Sequence, residues 1–273
     1  MTLVAPLRAF GRNDLATAGG KGANLGELVR HGFPVPDGFV VTTGAYATVL
    51  TAAGIDIAAR LDADGGSVRS EIEKAPIPDA LQRAILEAYR GLGSGPVAVR
   101  SSATAEDLPG AAFAGQQDTY LNIVGEEAVL DAVRRCWGSL WSERAIAYRR
   151  RLRIDPEEVR IAVVVQRLVE AETAGVMFTA NPVTGARDDV IVDASTGLGE
   201  AVVSGAVTPD HYVLAPDGTV RSWTPGRREV VIVAVAGGGV DHVAASDDQS
   251  DQGEEHRPLP DHVLRRLAEL GTG

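Results

Sequence analysis

The stretch VAVRSSATAEDLPGAAFAGQQDTYLN, residues 97–122, sets two apolar, β-prone ends around a middle built almost wholly of Ala, Gly, Ser, Thr, amide and acidic residues. The ends read as strands, and the segment Ser101 to Asp118 between them reads as irregular. A loop of that length inside a compact domain is uncommon unless it is functional. Arg100 closes the first strand immediately before Ser101, Ser102 and Thr104, so that a cation and several hydroxyl donors can converge on an anion. A competing reading pairs Arg100 with Glu106 or Asp107. In the second half, Gly115 offers a backbone N–H open to close approach and Thr119 a hydroxyl, against the plainer reading of a hairpin turn.

Upstream, ATAGGKGANLGEL, residues 16–28, places Lys21 among Gly19, Gly20, Gly22 and Gly26, with no other charge before Glu27. Glycine at such density suits backbone that must approach something closely or turn with positive φ. A phosphate is one such thing; the alternative is a turn before a helix starting near Ala23 and closing at Gly32, with Lys21 solvated. A Walker A loop does not fit, since Leu15 and Gly22 stand where it needs Gly and Ser or Thr, and the dinucleotide fingerprint fails at Leu25. Downstream, Gln166 is the first polar side chain after IAVVV. It marks either a strand edge or a junction whose amide reads an adenine edge.

Around these stretches the chain has 273 residues, 45% of them hydrophobic, and a formal net charge of −11, which argues against a nucleic-acid or anionic-membrane surface over most of it. The single Cys136 can form no internal disulfide and is expected to pack in the interior. No apolar run approaches the roughly 20 residues that span a bilayer, and the first residues lack a signal-peptide core, so a soluble, cytoplasmic protein is expected. PDALQRAILEAYRGLG predicts an amphipathic helix through Leu81, Ile85 and Ala88 or Tyr89; a second begins at Glu126 and buries Val129, Val133, Trp137 and Trp141. RAIAYRRRLR reads as a solvated helix face. VRIAVVVQRLV, GVMFTANP and DVIVDAS predict strands, HYVLAPDGTVRSW a hairpin turning at Asp217 and Gly218, and the Gly-rich, then acidic, stretch beyond Gly226 a loose excursion before a last helix at Pro260 to Leu270. Helices and strands mix without βαβ alternation, so the expected class is α+β.

Taken together, GGKGANLGEL, PVPDGFVVT, VAVRSSATAEDLPGAAFAGQQDTYLN, RAIAYR, GVMFTANPVTG and DASTGLGEAVVSGAVTPDHYVL resemble, in order and spacing, the N-terminal nucleotide-binding domain shared by phosphoenolpyruvate synthase, pyruvate phosphate dikinase and rifamycin phosphotransferase. The resemblance implies a two-lobed, ATP-grasp-like domain with ATP and Mg2+ between its lobes. It divides the chain into an N-terminal lobe at 1–98, a second part at 99–226 with the phosphate loop and adenine-side strand, and an acidic excursion with a terminal helix at 227–273. Lys21 and Arg100 match the family's triphosphate-binding cations and are the expected catalytic pair. Gly115 and Thr119 match phosphate-loop contacts, and Gln166 matches the adenine contact. The glycines around Lys21 are thereby expected to let backbone approach the triphosphate.

Asp193 and Glu200 fall near the nucleotide by resemblance, with neither assigned as a metal ligand, and the metal ligands stay unknown. The family's metal-binding segment resembling DIEWA, its Q-x-R-P segment and the phosphohistidine motif do not occur in these residues; His31, His211, His242, His256 and His262 are expected at the surface. The implied function is the ATP-binding portion of a phosphoenolpyruvate synthase-like phosphotransferase, passing a phosphoryl group to a histidine on a separate domain. The C-terminal metal-binding segment and the histidine domain are then expected partners on other sequence. A rifamycin phosphotransferase is the alternative within the enzyme class, and a non-catalytic nucleotide-binding module the alternative outside it.

Overall fold

A strand that is apolar on both faces has to sit in the middle of a covered sheet, and IAVVVQR supplies one. The computed structural model describes residues 2–57, 65–104, 118–152, 159–227, 229–244 and 259–272. In it, β5 (Ile161–Arg167) is buried at every residue but the last. It pairs antiparallel with β2 (Gly38–Val41) on one side and β3 (Val97–Ala103) on the other. The strands β1 (Val4–Pro6) and β4 (Thr119–Ile123) take the edges, giving the order β1-β2-β5-β3-β4.

Each face of this sheet has its own cover. Phe39, Val41, Val97, Val99, Val163 and Val165 face a core filled by Tyr46 and Val49 of α2 (Thr43–Ala53), Val68 and Ile72 of α3 (Gly65–Lys74), Leu81, Ile85 and Tyr89 of α4 (Asp79–Gly91), and Val129, Val133 and Trp137 of α5 (Glu126–Ser139). The predicted stripes of α4 and α5 are the buried ones, with Tyr89 rather than Ala88 completing the first. Cys136 is buried, and burial pushes its thiol well above the ordinary range. On the other face, Val40, Ala162 and Val164 meet α1 (Leu15–Arg30) through Ala18, with Leu7 and Phe10.

The glycines around Lys21 serve this second contact. α1 breaks at Gly19, where φ is +67°, and a Cβ there would lie 2.0 Å from the Ser102 carbonyl oxygen. A Cβ at Gly26 would lie 2.4 Å from the Phe10 carbonyl oxygen, and one at Gly22 3.3 Å from Val40. Gly20 is buried as well. The expectation that these glycines clear a path for a phosphate is therefore corrected at Gly19, Gly22 and Gly26, whose missing side chains leave space filled by the protein itself. The helix also starts at Leu15, ahead of the Ala23 of the alternative reading, because the residues before the break are already helical.

After α5, α6 (Glu143–Leu152) departs from the expected solvated face at Arg149, which is only 3% exposed. Its guanidinium donates to the Leu140 carbonyl and lies 5.1 Å from the centre of the Trp141 ring, and desolvation brings its pKa down to about 10. Trp141 in turn donates from Nε1 to the Tyr46 hydroxyl at 3.1 Å.

The chain divides into two compact units, Met1–Leu168 with Ala236–Gly239, and Val169–Val235 with Val240–Gly273. Residue 98, where the first lobe was expected to end, falls inside β3. In the second unit β6 (Thr173–Phe178), β7 (Val190–Thr196), β8 (Asp210–Leu214) and β9 (Val220–Thr224) form an antiparallel meander. Val190, Val192, Ala194, Tyr212 and Leu214 pack against Leu264 and Ala268 of α8 (Asp261–Thr272). The β8–β9 hairpin turns at Asp217 and Gly218 as its sequence predicts, with the Asp217 carboxylate accepting from the Thr219 N–H. A short α7 (Glu200–Val203) follows β7. Part of the stretch read as a loose excursion is instead ordered: β10 (Val230–Ala234) and β11 (Val240–Ala244) pair around Gly237, Gly238 and Gly239, all at positive φ. The class is α+β, and no described helix is long and apolar enough to cross a membrane.

Gly19 and Gly32 separate two costs of a side chain. Both have positive φ, but nothing lies within 4 Å of a Cβ at Gly32. Gly32→Ala is expected to cost about 1 kcal/mol from φ alone, and Gly19→Ala about 3 kcal/mol or more because backbone must move as well. Urea denaturation of the two variants measures the difference.

Candidate functional site

The α1 face of the first sheet carries the polar residues singled out in the sequence, and a one-residue irregularity aligns two of them. Val97 pairs with Ile123, but Val99 pairs with Tyr120, so β4 holds one more residue than β3 across this interval. The bulge falls where Asn122 takes a φ of 54° and donates from Nδ2 to the Gly239 carbonyl at 2.6 Å. Unbroken register from Val97 and Ile123 would put Arg100 opposite Tyr120; the bulge puts it opposite Thr119 instead. Residues directly opposite in an antiparallel pair share a face. Arg100 is half-buried and Thr119 exposed, so a cation and a hydroxyl stand side by side with access to solvent.

Lys21 is carried by α1, which packs on the same face. The Ser102 hydroxyl donates to the Ala18 carbonyl at 2.8 Å and accepts from the Gly22 N–H at 3.0 Å. Those two groups would be each other's partners in an unbroken helix, so Ser102 is wedged into the ladder of the turn that carries Lys21. Lys21 itself is half-buried.

Gln166 stands opposite Ala98 on β3 and Gly38 on β2, which sets it on the Arg100 face of the sheet. It is buried, and Nε2 donates to the Pro36 carbonyl at 2.9 Å. One side of the amide therefore fixes the segment entering β2. The sequence signal, a polar residue ending an apolar strand, could not distinguish that use from ligand contact.

The hydroxyls near Arg100 are used within the protein. Ser101 Oγ donates to the Asp118 carbonyl, Ser102 holds α1, and Thr104 Oγ1 both donates to the Arg160 carbonyl and accepts from the Arg160 N–H. The convergence of those donors on an anion is corrected accordingly. Arg100, Thr119 and Gln166 share the sheet face against which α1, the helix of Lys21, packs; Gly115 lies outside the described residues, as do Glu106 and Asp107.

In the second unit, Asp193 on β7 meets His211 on β8, with Nδ1 2.7 Å from Oδ1, and Glu200 opens α7. His31, His211, His242 and His262 are exposed; His256 is outside the described residues. Among the described residues no three His, Cys, Asp or Glu side chains form a group able to hold a metal ion. Asp118, which the sequence reading passed over, is engaged by Arg69, Tyr120 and Ser101 beside Thr119.

The family model described as pyruvate phosphate dikinase, AMP/ATP-binding domain, matches residues 15–272. A probable phosphoenolpyruvate synthase of Methanothermobacter thermautotrophicus is 44% identical over 288 residues, 98% of this chain and 41% of the relative. One of Archaeoglobus fulgidus is 50% identical over 220 residues, 74% of this chain and 29% of the relative. A rifampicin phosphotransferase of Streptomyces sviceus is 43% identical over 283 residues, 98% of this chain and 32% of the relative. The chain thus spans well under half the length of these relatives.

Gln166→Ala removes the donor to Pro36 and is expected to lower stability by about 1 kcal/mol. Denaturant titration reads this independently of any ligand.

Proposed function

Because the chain belongs to the pyruvate phosphate dikinase AMP/ATP-binding domain family, we propose that the α1 face of its first sheet binds ATP. In this reading Lys21 and Arg100 neutralise the triphosphate, Thr119 and Gly115 supply donors to it, and Gln166 meets the adenine edge. The observation that carries it is the placement of Arg100 directly opposite Thr119 by the bulge in β4, on the face covered by α1, the helix that contains Lys21. A guanidinium next to a hydroxyl, with a lysine on a turn pinned by Ser102, suits an extended chain of phosphate oxygens.

The wider activity proposed is phosphoryl transfer from ATP to a histidine on sequence outside residues 1–273, within a phosphoenolpyruvate synthase-like, ATP-grasp-like enzyme. Its support is the likeness to relatives named as phosphoenolpyruvate synthases. The relative named as a rifampicin phosphotransferase keeps that acceptor as the second reading. Mg2+ would enter with the nucleotide. The described residues do not provide a carboxylate cluster to hold it by themselves, and no step is assigned to it.

In phosphoryl transfer the chemistry is largely positioning and charge stabilisation. Lys21 and Arg100 hold the phosphate oxygens in place, and Arg100 would act more strongly as charge builds on the transferred group than on bound ATP. Arg100→Ala is therefore expected to lower turnover of the complete phosphotransferase by about 10³-fold, roughly 4 kcal/mol, with a smaller loss of ATP affinity. Single-turnover kinetics with calorimetry test this: loss of affinity with unchanged turnover removes Arg100 from the transfer step. Absence of ATP binding by the protein with its native residues overturns the ATP reading as a whole. Gln166→Ala is expected to narrow the preference for ATP over GTP, read from competition titrations; an unchanged preference removes it from the adenine contact.

A further inference from the structure

We propose that Arg69 is a positioning residue for the triphosphate face, holding Asp118 from the opposite side of the sheet and thereby fixing Thr119. The inference rests on the reading of that face as an ATP site. Side chains alternate along a strand, so Asp118 and Tyr120 point away from the face that Thr119 shares with Arg100. Both flanking residues are gripped on that far side. Arg69 on α3 donates from Nη2 to the Asp118 Oδ2 at 3.2 Å, and the Tyr120 hydroxyl donates to the same oxygen at 2.8 Å. The Asp118 carbonyl is held too, accepting from the Ser101 N–H and the Ser101 hydroxyl, each at 3.2 Å.

The grip is anchored further back. Arg69 donates from Nε to Glu73 at 2.7 Å one turn along α3, and this partner, ahead of Asp118, raises the affinity of the guanidinium for its proton. Glu73 lies against α5 at Gly138, where a Cβ would come within 2.8 Å of Glu73 Cγ. Arg135 on the same helix stacks over the Tyr120 ring at 4.1 Å. Helices α3 and α5 and strand β3 thus hold the backbone of Thr119 through both its neighbours. A donor that must meet phosphate oxygens gains from such support, because small misplacements are costly where geometry carries the function.

The test is a double-mutant cycle between Arg69→Ala and Thr119→Val, with ATP and adenosine affinities measured by ligand-observed NMR titration and stability by thermal unfolding. Arg69→Ala is expected to weaken ATP binding about tenfold and adenosine binding less than about twofold, and to cost less than about twofold in ATP affinity once Thr119 is already valine. Tyr120→Phe, which deletes only the hydroxyl, gives the same pattern at about threefold and serves if Arg69→Ala does not fold. Equal losses for ATP and adenosine, or losses that add in the cycle while the parent protein binds ATP, overturn the positioning role alone. A parent protein that binds no ATP overturns the ATP reading, and this inference with it.

Discussion

One hydroxyl ties the apolar architecture of the first unit to its polar face. Ser102 Oγ stands between the Ala18 carbonyl and the Gly22 N–H, satisfying both where the helix ladder is broken. Backbone polar groups buried without partners are costly, so the break at Gly19 is sustainable only with such a substitute. Because Ser102 sits two residues from Arg100 on β3, the same contact that docks α1 also fixes the turn bearing Lys21 relative to the strand bearing Arg100. Close approach is what makes the contact reach, and the missing Cβ at Gly19 is what permits the approach.

The two faces of the first sheet divide their tasks by side-chain alternation. Valines at 97, 99, 163 and 165 enter the large core, while the alternate positions Ala98, Arg100, Val164 and Gln166 belong to the α1 face. On the core side polar groups are few and are tied into structure: Arg149 is held by the Leu140 carbonyl and the Trp141 ring, and Tyr89 Oη donates to the carbonyl of Ser94 or Gly95 and accepts the Gly125 N–H at 3.0 Å. A guanidinium so placed retains its donor geometry while its flat face packs as an apolar surface would. Burial nevertheless disfavours its charge, consistent with the lowered pKa of Arg149.

Much of the fold could be read from local pattern. The apolar run of β5, the stripes of α4 and α5, the meander strands and the Asp217–Gly218 turn all rest on periodicity or turn chemistry that acts over a few residues. The elements that the sequence reading did not assign have weaker patterns. TGAYATVLTAA in α2 lacks charges to mark a polar face, and α3 opens on two glycines. The hairpin of β10 and β11 was hidden because three consecutive glycines signal a turn without saying whether the flanks pair.

For the site, the sequence by itself determined which side chains carry suitable chemistry: a lysine among glycines, an arginine at a strand end, a threonine after a small-residue loop and an amide closing an apolar strand. Motif order also determined the family, since many spaced matches reinforce one another. Tertiary structure decided how these residues are used. A bulge at Asn122 sets Thr119 opposite Arg100, the glycines near Lys21 admit protein backbone, and Gln166 spends one donor on Pro36. Each of those outcomes depends on atoms that are distant in sequence, such as Ser102 for Gly19 and Gly239 for Asn122. Local pattern carries no term for the distance between such groups; only closing the sheet and packing helices on both its faces brings them together.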